Sequence, residues 1–226
     1  MKSILWSVLA LFIVLPVYGQ GLTVTMKETG PAGQTSPILQ TDRTHARLDI
    51  PSLASQLIYD SATKTLRALV PLLKIYREYT PATVQDLVAA AARNGRGQPT
   101  PVRVTYKRTG ASKVGEWPCT TYDGFRGSEK VYEVCAAEGS SIGLTATDFA
   151  IVQQAIDLAR TVAPPETLER IPVYGSVQSQ GFAGFPVRRV SFRNGQLETT
   201  TELIGFRREA VPAAAFETPS GFNKVP

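Results

Sequence analysis

The chain has 226 residues, 24 of them Lys or Arg against 19 Asp or Glu, and only two cysteines and one histidine. A formal charge of +5, spread along the whole length, is too small and too dispersed for nucleic-acid binding, so no nucleic acid is expected as a partner. Two thiols and one imidazole also fall short of the roughly four ligands of a structural zinc site, and neither metal nor cofactor is expected.

Residues 1–19 read as a secretory leader: Lys2 at the start, an apolar run from Ile4 to Val17, and a small-residue exit at Val17-Tyr18-Gly19. Cleavage is expected between Gly19 and Gln20. The run is interrupted by Ser7 and Pro16 and is shorter than the roughly 20 residues a membrane span needs, so the mature form is expected to have no transmembrane span. No cysteine stands near the cleavage point to take a lipid anchor. The remaining residues, 20–226, suit one domain of about 200 residues, located in the bacterial periplasm or secreted.

Beyond the leader the pattern is mostly that of strands. Leu22, Val24 and Met26 alternate with Thr23, Thr25 and Lys27, which gives one dry side. Strand-like runs follow at Thr44 to Ile50, Gln56 to Asp60, Thr65 to Val70 and Leu73 to Tyr79, with a polar turn at Asp60-Ser-Ala-Thr-Lys64. Thr80 is placed to cap a first helix, Pro81 suits its first position, and Val84, Leu87, Val88 and Ala91 form an apolar stripe before Gly95. Arg93 to Gln98 reads as a surface loop. Val102, Val104 and Tyr106 then resume the alternation against Arg103, Thr105 and Lys107.

Both cysteines lie in EWPCTTYDGFRGSEKVYEVCAAE, residues 116–138. Lys113 to Tyr122 and Lys130 to Ala137 are strand-like, and Asp123 to Ser128 is rich in turn formers. If residue numbers in each pair sum to about 254, Cys119 faces Cys135 and Tyr122 faces Tyr132, within reach of a bridge. A redox pair more naturally takes the form Cys-x-x-Cys at a helix start. Export favours a structural disulfide, with redox exchange the remaining alternative.

Thr145 and Asp148 form a capping-box pair for a second helix, in which Phe149, Val152, Ile156 and Ala159 share one face until Pro164-Pro165. Val173 to Gln178 reads as a strand and Gln178 to Gly184 as a surface loop. Pro186 to Arg193 and the run containing Leu197, Thr199, Thr201 and Leu203 flank Asn194-Gly195, a two-residue hairpin turn that sets Phe192 opposite Leu197. No internal repeat is found. A mainly antiparallel sheet with two amphipathic helices implies that the helices cover part of the sheet.

From Gly110 to Phe149 the order G-x-x-K-V-x-x-W-P-C-x-x-Y-x-G-x-R-x-x-E-K-V-x-E-x-C-A-A-E, then G-L-x-A-x-D-F-A, resembles exported bacterial proteins grouped as domain of unknown function 4412 (DUF4412). Tyr59-Asp60, Leu73 to Tyr79, and the ending Phe216-Glu217-Thr-Pro219-Ser-Gly221-Phe222 fit the same pattern, with Phe222 where the pattern calls for Tyr. That family is similar to the periplasmic lipoprotein carrier and receptor (LolA/LolB-like) group. The resemblance implies a mainly β (α+β) fold: a curved, incompletely closed antiparallel β-barrel with two amphipathic helices covering the concave face.

No constellation of side chains announces a reaction, and the protein is expected not to be an enzyme. His45 should share a polar strand face with Arg47 and Asp49. Asp148 reads as a helix cap, Asp60 and Asp123 as turn residues, Glu198 and Glu202 as an outer strand face. Arg93-Asn-Gly-Arg-Gly lacks the Lys-Ser or Lys-Thr of a phosphate loop. Arg188, Arg189, Arg193, Arg207 and Arg208 suit either anionic head groups or a solvated face balanced by Glu198, Glu202 and Glu209. Two functions stay open. In one, a lipid acyl chain or other apolar ligand sits between sheet and helices, lined by Tyr59, Leu66, Ile75, Val104, Tyr106, Phe149, Val152 and Ile156. In the other, the interior is solid and the protein recruits an envelope protein partner. An enclosed apolar pocket of at least roughly 300 Å³ favours the first.

Overall fold

The computed structural model describes residues 21–93, 104–162, 175–176 and 180–226. The leader and its cleavage point, Val102, the stops at Gly95 and Pro164-Pro165, the loop after Arg93 and most of the strand expected over 173–178 lie outside the described residues.

The elements run β1 (Gly21–Gly30), β2 (Gly33–Thr35), β3 (Ile38–Thr41), β4 (His45–Ile50), β5 (Ser55–Asp60), β6 (Thr65–Val70), β7 (Ile75–Tyr79) and α1 (Pro81–Arg93). Then come β8 (Thr105–Val114), β9 (Trp117–Arg126), β10 (Glu129–Ala137), α2 (Gly139–Ile142), α3 (Ala150–Ala159), β11 (Phe185–Arg193), β12 (Gln196–Glu209) and β13 (Asn223–Lys224). The described strands share one sheet in the order β13-β7-β6-β5-β4-β3-β1-β12-β11-β10-β9-β8, with β2 paired to β1. Only the short β13–β7 pair is parallel. The path runs from β13 to β8 without joining its ends, so the sheet is a curved, open antiparallel barrel.

Alternation explains the faces. Leu22, Val24 and Met26 of β1, Leu39 of β3, Ala46, Leu48 and Ile50 of β4, Tyr59 of β5 and Leu66 of β6 point to one side and are buried there. Helix α3 covers them with Val152, Ile156 and Ala159, and Phe149 at its start belongs to the same cluster. On the opposite side of β5 and β6, Ile58 and Leu69 pack against Phe216, with Tyr76, Val211 and Phe222 alongside. The sheet is therefore dry on both faces here, under α3 on one side and under the C-terminal segment on the other.

The chemistry of the turns holds where it was local. Asn194 and Gly195 have φ of 53° and 75°, and Phe192 pairs with Leu197, as a two-residue hairpin requires. Leu197 nevertheless lies largely in solvent, and Leu203 is the inward residue of that strand. Thr145 and Asp148 make the capping box ahead of α3.

Several expectations need correction. The strand expected from Lys113 to Tyr122 is cut by a turn at Gly115-Glu116, where Gly115 takes φ of 56° and Val114 pairs with Trp117. The turn expected over Asp123 to Ser128 contracts to Gly127-Ser128, because Gly127 supplies φ of 66° and lets the strands pair up to Arg126↔Glu129. Val131 is then an extra residue in β10, a bulge that shifts the register. Cys135 thus faces Thr121 rather than Cys119, Tyr122 faces Val134, and Tyr132 faces Gly124. The disulfide Cys119–Cys135 still forms, diagonally, with Cα atoms 5.4 Å apart. Asp123 sits within β9 and pairs with Lys130 at 2.7 Å.

The segment before β11 is no surface loop, since Phe182 is fully buried against Val131, Tyr132, Val134 and Ala136. Helix α1 forms as expected, with Thr80 accepting from the Thr83 amide at 3.2 Å, yet of its stripe Val84 is buried while Leu87 and Val88 stand in solvent. Its main contact is β7. Periodicity reports that a helix has an apolar side, not that anything covers it.

Candidate functional site

The seam between α3 and the sheet is the first candidate. Tyr59, Leu66, Val152 and Ile156 line it together with Leu39, Ala46, Leu48 and Leu57. Phe149 lies in the same cluster, stacked on Phe185 at 5.3 Å. Ile75 is half-buried on β7, outside these clusters. Val104 and Tyr106 go elsewhere: they pack with Phe182 in a separate cluster, with the Tyr106 and Phe182 rings edge to face at 4.9 Å. That cluster lies on the side of β10 opposite Cys135 and Ala137. The void left in the seam is about 20 Å³, room for about one water molecule. Tyr59 Oη reaches Gln154 Oε1 at 3.5 Å, and burial, helped by the charge of Asp60, raises its pKa above the ordinary phenol value. An open depression of about 600 Å³ is lined by Phe149, Ala150, Gln153, Gly175, Ser176 and Ala183.

The entrance to α3 is locked electrostatically. Asp148 accepts from the Thr145 amide at 2.6 Å and receives both Arg208 guanidinium nitrogens at 2.7 and 2.8 Å. Arg208 also donates to the Gly143 carbonyl at 2.8 Å. These partners, Arg208 foremost, hold the Asp148 carboxyl below its usual pKa although burial opposes them. The arginines of the last hairpin are mostly engaged in the same way: Arg188 with Glu133 at 3.1 Å, Arg193 with Glu198, and Arg207 with Glu209 at 3.2 Å. Arg189 lies over the Tyr132 ring at 5.1 Å. Among the described residues no free cationic cluster is left on that hairpin for head groups.

His45 lies on the polar strand face with Arg47 and Asp49. Asp42 Oδ2 and Thr44 Oγ1 stand 3.1 and 2.9 Å from its Nδ1, and the ring stacks on Phe216 at 5.1 Å. Both polar partners address one nitrogen, whereas a hydrolytic relay needs the acid on one ring nitrogen and the nucleophile on the other. Arg47 Nη1 donates to the Ala215 carbonyl at 2.9 Å. These contacts moor the C-terminal segment.

A second candidate was not anticipated. Pro51–Leu53 and Pro71–Leu73 are single 3₁₀ turns of the same geometry, each closed by a left-handed residue, Ala54 (φ 46°) and Lys74 (φ 49°), whose amide bonds the proline carbonyl. They join β4 to β5 and β6 to β7, neighbouring hairpins whose loops lie at one end of the sheet, about 10 Å apart by strand spacing. Leu53, Leu72 and Leu73 are 39%, 83% and 63% exposed. The signal was present in sequence as Ile50-Pro51-Ser52-Leu53-Ala54 and Val70-Pro71-Leu72-Leu73-Lys74, a short repeat twenty residues apart. Only shared geometry makes so brief a repeat visible.

An open antiparallel barrel with one helix seated in its trough, a crosslinked hairpin and a filled seam defines the class of this protein. The chain belongs to the family described as Domain of unknown function (DUF4412), whose model matches residues 23–222. No curated protein matches it. Among solved structures it is similar to an uncharacterized conserved protein from Thermus thermophilus, at 9% identity and TM-score 0.51, covering 92% of this chain and 90% of that one. That likeness shows the fold. A putative outer membrane lipoprotein-sorting protein domain from Vibrio parahaemolyticus is 7% identical, with TM-score 0.27 over 89% of this chain and 90% of that one. A LolA superfamily protein from Nitrosomonas europaea is 8% identical, with TM-score 0.26 over 90% and 91%. Neither of the last two carries an argument about this chain at such scores.

Proposed function

We propose that this is an exported, non-enzymatic envelope protein with a solid interior that acts through its outer surface. The observation behind this reading is the volume of the seam: about 20 Å³, more than tenfold below the roughly 300 Å³ at which ligand pockets begin. The secretory pattern of residues 1–19 supports export, and no described helix is long and apolar enough to cross a membrane. In the second reading α3 lifts off the sheet and an acyl chain takes its place. The wholly apolar lining at Val152, Ile156, Leu39 and Leu66 favours it, since each CH₂ buried there would gain roughly 0.8 kcal/mol. Lifting α3 exposes Val152, Ile156 and Ala159 and opposes that gain. Titration of the exported protein with a fluorescent C16 fatty acid separates the readings. The solid interior predicts no saturable binding at micromolar concentrations. A saturable one-to-one isotherm that Val152→Asp abolishes would transfer the assignment to the carrier.

A further inference from the structure

We propose that the rim formed by the two 3₁₀ loops docks on an anionic lipid bilayer, with Leu53, Leu72 and Leu73 entering the head-group layer and Lys74 meeting lipid phosphate. The inference rests on the surface-acting reading above and names the surface it acts on. The loops are tips rather than a groove, so they suit a deformable plane. Three leucines within two adjacent tips, up to 83% exposed, are an unsatisfied apolar surface in water. One backbone bond closes each tip, Ala54 N–H to the Pro51 carbonyl at 3.0 Å and Lys74 N–H to the Pro71 carbonyl at 3.2 Å, and proline brings no amide hydrogen. These features lower the desolvation penalty of entering a low-dielectric layer.

Charge sets the sign of the surface. Residues 50–55 and 70–75 contain no carboxylate and one cation, Lys74. The acids that flank the tips in sequence are already paired: Asp49 with Arg47 at 2.9 Å, and Glu78 with Lys224 at 2.7 Å and Arg67 at 3.5 Å. Lys74 has no ion-pair partner among the described residues. A short apolar insertion with adjacent positive charge gives reversible, salt-sensitive attachment rather than a permanent anchor.

The test sediments the exported protein with vesicles of phosphatidylcholine alone or mixed with phosphatidylglycerol. Binding is expected to the mixed vesicles, to be weakened by about 0.5 M salt, and to fall about tenfold or more in Leu72→Asp/Leu73→Asp, with thermal unfolding unchanged because both side chains are exposed. Lys74→Glu should weaken binding to mixed vesicles while leaving the phosphatidylcholine control unaltered. Failure to sediment, as a protein-docking rim would give, overturns the proposal. So does equal sedimentation by the double variant, or indifference to lipid charge. None of these outcomes alters the fatty-acid titration, so the two readings fail separately.

Discussion

Asp148 carries two loads at once: it closes the capping box with Thr145 and receives a two-pronged bond from Arg208 of β12. Charge-assisted bonds of this geometry are the strong ones. Because its pKa is depressed, its contribution to stability is complete above the ordinary carboxyl value of about 3.9. That contribution is lost as pH falls through the lower folded value. Asp148→Ala should cost about 2 kcal/mol at pH 7. Thermal unfolding followed from pH 7 down to about 2 should show the wild-type advantage shrinking below about 4. A gap that stays constant to pH 2 would mean that Asp148 acts through packing instead.

At the scale of elements, the sequence was legible wherever the rule was local. Strand β6 spans the expected run Thr65–Val70, Asn194-Gly195 specifies its own turn, and α3 is announced by Thr145, Asp148 and a run of Phe149, Val152 and Ile156. Rules that depend on distant partners were not legible. The tighter turn shifts the register by one residue and the bulge at Val131 by another, which moves Cys135 off Cys119, and bulges leave no mark in a hydrophobic pattern. Alternation names two faces without saying which is the inside: Tyr59 and Leu66 pack in the cluster under α3, whereas Tyr106 packs against Phe182 in another. Phe182 looked like part of a glycine-rich loop because its burial depends on β10. The diagonal bridge should still stabilise the hairpin by about 3 kcal/mol, the chain-entropy value for a loop of this size. Cys119→Ala/Cys135→Ala should therefore lower the denaturant midpoint but leave the far-ultraviolet spectrum intact, since β9 and β10 are each paired on their other edges to β8 and β11. Loss of strand signal would show the bridge to be a condition of folding.

For the whole molecule, the sheet is covered from both sides. Helix α3 fills the trough, and the segment from Val211 to Lys224 crosses the back, held by Phe216, by Arg47 to the Ala215 carbonyl and by Lys224 to Glu78 at 2.7 Å. The family motif around Phe216 and Phe222 thus has a packing explanation, because both aromatics close the outer cluster over Ile58 and Leu69. Between α3 and the strands the described residues leave about 20 Å³, too little for a guest of acyl size, and the proposed role therefore falls to the exterior. Native mass spectrometry of the protein purified gently from its own envelope tests this most directly. The account predicts the mass of the processed polypeptide, less two hydrogens for the disulfide, and nothing more. A stoichiometric adduct of lipid mass, retained after vesicles are removed and lost when α3 is disrupted by Ile156→Asp, would contradict it.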